Sequence, residues 1–127
     1  ERRAFTYNPI LARVARERAA DMAARGYFGH TNPEGLGPNA LVRWAGYVLP
    51  SYYGTEPSAN NIESIAAGPT TAEGVFQLLL GSEAHRTHIL GLHEFYAAQV
   101  EYGIGYVDAP GSKYEHYWVI LTAQPGP

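Results

Sequence analysis

The residues of this chain whose types can do chemistry are histidines and glutamates. His30 stands in a loop dense in glycine, asparagine and proline. Glu63 interrupts the apolar run Ile62-Glu63-Ser64-Ile65, and Glu83, His85 and His88 cluster further along. These residue types suit general acid–base work and metal ligation. A carboxylate inside an apolar segment needs a partner, because an isolated buried charge is costly. Each residue taken singly also has a plainer reading. His30 reads as a turn residue with an exposed ring, and Glu63 as the outward phase of an edge strand. His85 and His88, spaced i,i+3, read as a polar helix face.

Other chemistries are excluded. There is no H-E-x-x-H metalloprotease helix, no G-x-S-x-G elbow and no phosphate-binding loop. Gly103-Ile104-Gly105 lacks the third glycine of a dinucleotide loop and lies in a strand pattern, where glycines leave room for close packing. The chain has no cysteine, which removes disulfides, thiol nucleophiles and cysteine-bound metals. A net charge of −3 argues against a nucleic-acid partner. With 127 residues, 46% apolar and 17% charged, the chain has the size and composition of one folded domain over 1–127. No apolar run approaches the roughly 20 residues of a membrane-spanning helix. The chain opens on Glu1, not Met, so it is expected to be a processed piece, and the missing leader does not fix its destination.

These residues need elements to position them. Asn8-Pro9 opens a helix by cap and first-turn proline, and Gly26 stops it after Leu11, Ala15, Ala19 and Met22 recur at helical spacing. His30 follows in the loop. Pro38 starts a second helix with Leu41, Val42, Trp44 and Ala45 on its buried stripe, ended by Gly46. Residues 47–60 read as an irregular docked loop, and Ile62 to Ala67 as a short strand or extended segment. Thr70-Thr71-Ala72-Glu73 reads as a capping box with Thr70 as the cap, opening a helix that bends near Gly81-Ser82. Ser82 can cap a further turn or two through His85, His88 and Leu90. Val100 to Tyr106 and Lys113 to Ala123 alternate as strands around a turn at 108–112. The second strand is apolar on both faces and is expected to be central. Helices first and a hairpin last predict an α+β fold with helices packed on an antiparallel sheet.

In order, several stretches resemble the bacterial CAP domain, the superfamily of cysteine-rich secretory proteins, antigen 5 and pathogenesis-related proteins. Gly26-Tyr27-Phe28-Gly29-His30-Thr31-Asn32-Pro33-Glu34-Gly35 is similar to its first signature, and Trp44-Ala45-Gly46-Tyr47 to the Gly-Tyr after it. Ile62-Glu63-Ser64-Ile65-Ala66-Ala67-Gly68 resembles the G-E-N-I-A-x-G stretch. Ser82-Glu83-Ala84-His85-Arg86-Thr87-His88-Ile89-Leu90 resembles S-x-x-H-R-x-N-I-L. Tyr102-Gly103-Ile104-Gly105 and Tyr117-Trp118-Val119 match the last two strands.

The resemblance implies a secreted α-β-α sandwich, extracellular or periplasmic, with two histidines and one or two glutamates around a central cleft. His30 and His85 take the histidine positions and Glu63 the glutamate position. Glu83 is the candidate fourth member, or else fills the variable part of its motif. Ile62 and Ser64 stand where the family carries Gly and Asn. His88 replaces an Asn, either as a third imidazole near the cleft or as a helix-terminal residue bonded to backbone. The missing cysteines match the bacterial branch. His93 is expected in a loop and His116 on a strand.

Such a cluster can hold a divalent metal such as zinc, weakly, through His30 and His85. The glutamate then serves as an orienting partner, or favours protonated histidine when no metal is present. Family members have been linked to sterol or lipid binding and to cell-surface interaction. Trp44, Tyr47, Tyr52 and Tyr53 either line an apolar groove for such a ligand or pack the core. Three functions stay open: a monomeric binding domain, a hydrolase whose water is activated by metal or Glu63, and a structural module of a larger surface protein.

Overall fold

The structure, a computed structural model, describes residues 4–126. Strand β1 (Thr6–Tyr7) leads into helix α1 (Pro9–Arg25). Asn8 caps α1 by accepting from the backbone N–H groups of Ile10 and Leu11, and Gly26 ends it in the left-handed conformation. Helix α2 (Pro38–Trp44), a 3-10 turn (Ser51–Tyr53) and strand β2 (Glu63–Ala67) follow. Next come α3 (Ala72–Leu80), α4 (Glu83–Leu90) and the short α5 (Glu94–Ala97). The hairpin β3 (Glu101–Asp108) and β4 (His116–Ala123) closes the fold.

The sheet order is β1-β3-β4-β2. β4 is central as expected, antiparallel to both neighbours. The sheet is not wholly antiparallel, because β1 pairs parallel to β3 through Thr6 and Tyr7. A two-residue strand is too short to show a period.

Strand alternation sends side chains to two layers. Tyr117, Val119, Leu121 and Ala123 join Leu11, Val14, Ala15, Ala19 and Met22 on the α1 side. Trp118 and Ile120 join Ala66, Val75, Leu79 and Ile89 on the α3–α4 side. The result is a three-layer α-β-α sandwich with a core on each face of the sheet. The aromatic segment after α2 divides, with Tyr47 and Tyr53 in the core and Tyr52 exposed. Trp44, expected on the buried stripe of α2, is exposed instead because it ends the helix at the surface.

Two local readings shift. Thr71, not Thr70, caps α3, accepting from Gly74 N–H at 3.0 Å, so no box closes through Glu73. β4 begins at His116, not Lys113, because Glu115 turns into the left-handed region at φ 67°.

Candidate functional site

Glu63 and Ser64 are neighbours on β2 and therefore face opposite layers. Glu63 points to α1, where Arg18 lies on the buried stripe one turn from Ala15 and Met22. Arg18 grips the carboxylate in a fork: Nε donates to Oε2 at 2.9 Å and Nη2 to Oε1 at 2.8 Å. The pair is sealed, at 2% and 7% exposure. Burial works to lower the Arg18 pKa, and the hydrogen bonds and charge of Glu63 more than offset it, so the net shift is upward.

Arg18 also fixes the loop that carries His30. Its Nη2 donates to the Gly29 carbonyl at 2.8 Å and its Nη1 to the Tyr27 hydroxyl at 3.0 Å. Tyr27 in turn donates to Asp21 at 2.6 Å, and its pKa is pushed up to about 12, by burial first and Asp21 next. Arg25 bridges Asp21 and Glu34, and Asn32 accepts from the N–H groups of Glu34 and Leu36. The loop thus returns His30 to Glu63, with His30 Nδ1 at 2.8 Å from Glu63 Oε1. A carboxylate only accepts, so Nδ1 carries the proton and Nε2 is the nitrogen left for a ligand. The His30 side chain is 40% exposed, so it forms the accessible end of a buried chain.

His85 stands half-buried on α4, in the wall of an open cavity of about 340 Å³. Phe28, Ile65, Leu78, Leu79 and Tyr114 make most of the remaining wall. Burial in this apolar setting lowers the His85 pKa, and the nearby charge of His30 lowers it further. A proton NMR titration is therefore expected to place the His85 midpoint below the ordinary 6.5, and a midpoint at or above 6.5 would contradict the apolar placement. Because the folded pKa is the depressed one, His85 contributes stability above the unfolded value and loses it as pH falls towards the folded one.

Glu83 does not join His85. Residues two apart on a helix project roughly 200° apart, and Glu83 is exposed in the first turn of α4. An acidic side chain there favours the positive end of the helix dipole. Among the described residues, the cleft side chains do not bring three metal-donor atoms within 4.8 Å of one another. With Glu63 committed to Arg18 and to orienting His30, the imidazoles of His30 and His85 are the donors that would be left to a metal here.

His88 belongs to the other layer. Its Nε2 lies 2.5 Å from Thr122 Oγ1 and its Nδ1 2.7 Å from Ser64 Oγ. Thr122 gives its own proton to Gln99 Oε1 at 2.6 Å, so Nε2 donates and Nδ1 accepts from Ser64. Both ring nitrogens are used, and the partners are side chains, not the backbone expected of a helix-terminal residue. Ser64, where the family carries Asn, is one of those partners. His93 caps α5, accepting from Phe95 N–H, and His116 opens β4.

Arg18 is the site residue that sequence reasoning missed. The signal was present: it lies on the apolar stripe of a helix, and Glu63 in an apolar strand needs a cation.

The three-layer sandwich and the histidine–glutamate contact define a class before they define a family. The chain belongs to the CAP family, described as the cysteine-rich secretory protein family, whose pattern it matches over residues 2–121. It is similar in fold to an outer surface protein from Borrelia burgdorferi, with a TM-score of 0.73 and 17% identity, covering 98% of this chain and 80% of that one. It is also similar to an extracellular SCP-domain protein from Bacillus anthracis str. Ames, with a TM-score of 0.68 and 22% identity. That match covers 97% of this chain and 34% of the other. No curated protein matches the chain. No helix among the described residues is long and apolar enough to cross a membrane.

Proposed function

We propose that this CAP domain is a non-catalytic binding domain of the extracellular or periplasmic space that takes an amphipathic lipid, a fatty acid or a sterol. The observation that carries the reading is the cavity beside His85: an apolar wall with an imidazole in it. Its volume of about 340 Å³ lies within the roughly 300–1,000 Å³ of small-ligand sites. The ligand's body rests on Phe28, Ile65, Leu78 and Leu79, and its polar head meets the imidazoles of His85 and His30. A zinc ion held by this pair would add a positive charge for a carboxylate head, and two protein ligands hold such an ion only weakly.

The state of Glu63 supports binding over turnover. Both of its oxygens are taken by Arg18, and one of them also by His30. Among the described residues, Glu63 is the carboxylate that meets the His30 imidazole, and it is not free to act as a base. The names of the two similar structures, an outer surface protein and an extracellular protein, support the location.

Titration with a fluorescent fatty acid and a fluorescent sterol tests the reading. Saturable uptake of at least one probe is expected. Leu78 is an exposed rim residue of the cavity, so Leu78→Asp spares the core. It should weaken uptake about tenfold or more, the scale of one lost leucine contact. No uptake by folded protein, or turnover of a peptide and ester panel that is lost in His30→Ala, would overturn the proposal.

A further inference from the structure

The hairpin tip carries a second cluster of donors, apart from the cleft network. Asp108 ends β3, Glu115 precedes β4 and His116 opens it, with Asp108 and His116 paired across the hairpin. One donor atom from each lies within 4.8 Å of the other two. Among the described residues, no other group of three such side chains meets that spacing. We infer that Asp108, Glu115 and His116 form a binding site for a divalent transition metal of the zinc type.

The imidazole is already set for it. Tyr106 lies parallel to the His116 ring, 5° off, and its hydroxyl is 2.8 Å from Nδ1. That contact engages Nδ1 and leaves Nε2 as the ligand atom, the orienting arrangement that metal-bound histidines use. Glu115 Oε2 lies 3.4 Å from Nε2. This is beyond the roughly 2.7–3.2 Å of an N–H···O hydrogen bond. It equals the edge of a zinc tetrahedron, about 3.4 Å for bonds of about 2.1 Å. Asp108 Oδ1 stands 3.8 Å from the other ring nitrogen, on a half-exposed side chain, and the donor spacing of the three residues stays within 4.8 Å.

The donor set selects the ion class. One imidazole and two carboxylates suit zinc and its transition-metal neighbours, whereas calcium and magnesium prefer oxygen ligands alone. Three protein ligands at an exposed tip leave the remaining position to water or to a partner's donor. The site is independent of the lipid proposal, because it shares no residue with the cleft.

Calorimetric titration with zinc chloride, backed by cobalt absorption spectra, tests it. One equivalent is expected to bind both wild type and His30→Ala/His85→Ala. His116→Asn should weaken binding by about tenfold or more, and Tyr106→Phe, which only positions the ring, by about tenfold. The exposed pair Asp108→Asn/Glu115→Gln tests the same ion without disturbing the core. The cobalt complex should show the strong visible bands of tetrahedral coordination in wild type and lose them in this pair. Absence of saturable zinc binding overturns the inference. So does zinc that survives the hairpin substitutions and disappears with those at His30 and His85.

Discussion

Glu63→Ala is expected to destabilise the domain by about 3–5 kcal/mol, the cost of stranding one partner of a buried ion pair. The stranded partner is Arg18, at 2% exposure. Its remaining bonds run to a carbonyl and a hydroxyl, which accept hydrogen bonds but bring no full negative charge. At this domain size the loss corresponds to a drop in melting temperature of about 10 °C or more. Glu63→Gln should recover only part of it, because the amide keeps one acceptor and loses the charge. Removing both members separates the pair from its burial. Arg18→Met/Glu63→Leu should recover most of the loss, because an apolar pair costs no desolvation. Thermal unfolding of wild type and these three variants decides it, and a Glu63→Ala protein melting within a degree or two of wild type would sink the account.

The same cycle guards against a misreading of function. Glu63 orients His30, so its replacement should disturb any ligand that reaches His30 even though the carboxylate touches no ligand. A binding loss in Glu63→Ala is therefore no sign of catalysis unless a hydrolysis signal falls with it. His85→Ala leaves the Arg18–Glu63 pair in place and is the cleaner probe of the cavity.

What was legible in the sequence follows the range of the physics. α1 could be bounded closely because Asn8 and Gly26 act on their own turns and the apolar period repeats along it. The central position of β4 could be read from two apolar faces. The pairing of His30 with Glu63 came from motif resemblance, since 33 residues separate them and no local rule joins them. Glu83 entered as the nearest candidate for the second glutamate that the resemblance implies, but helical geometry turns it away from His85. His88 could not be placed without knowing that Ser64 and Thr122 flank it from two strands. Arg18 was hidden by habit: charged residues on helices are usually solvated, and only its phase against Leu11, Ala15 and Met22 marks it as inward. β1 and α5 are too short to carry a period.

Gly105→Ala and Gly103→Ala are expected to be as damaging as any core truncation, although each adds a single methyl. Both glycines face α1, and neither has a left-handed backbone, so what they supply is space. A Cβ at Gly103 would overlap Ala12 N and the Leu11 carbonyl carbon, and one at Gly105 would overlap the Ala15 carbonyl and Arg16 N. These are backbone atoms of a helix, which cannot swing aside as a side chain can. Overpacking typically costs about 1–3 kcal/mol where side chains can adjust. Here the whole of α1 must move off β3, so a loss of about 3 kcal/mol or more is expected for either variant. Ile104→Ala, on the opposite and partly exposed face, is the control and should cost less. Urea midpoints compare them, and equal midpoints for Gly105→Ala and wild type would refute the close approach. The shift has a second consequence, because Arg18 rides on α1 one turn beyond the Gly105 contact. Lifting the helix pulls the guanidinium from Glu63 and lets the His30 loop go with it. Any Gly105→Ala protein that still folds should therefore show an altered His30 resonance while Trp118, on the far face of the sheet, stays near its wild-type position.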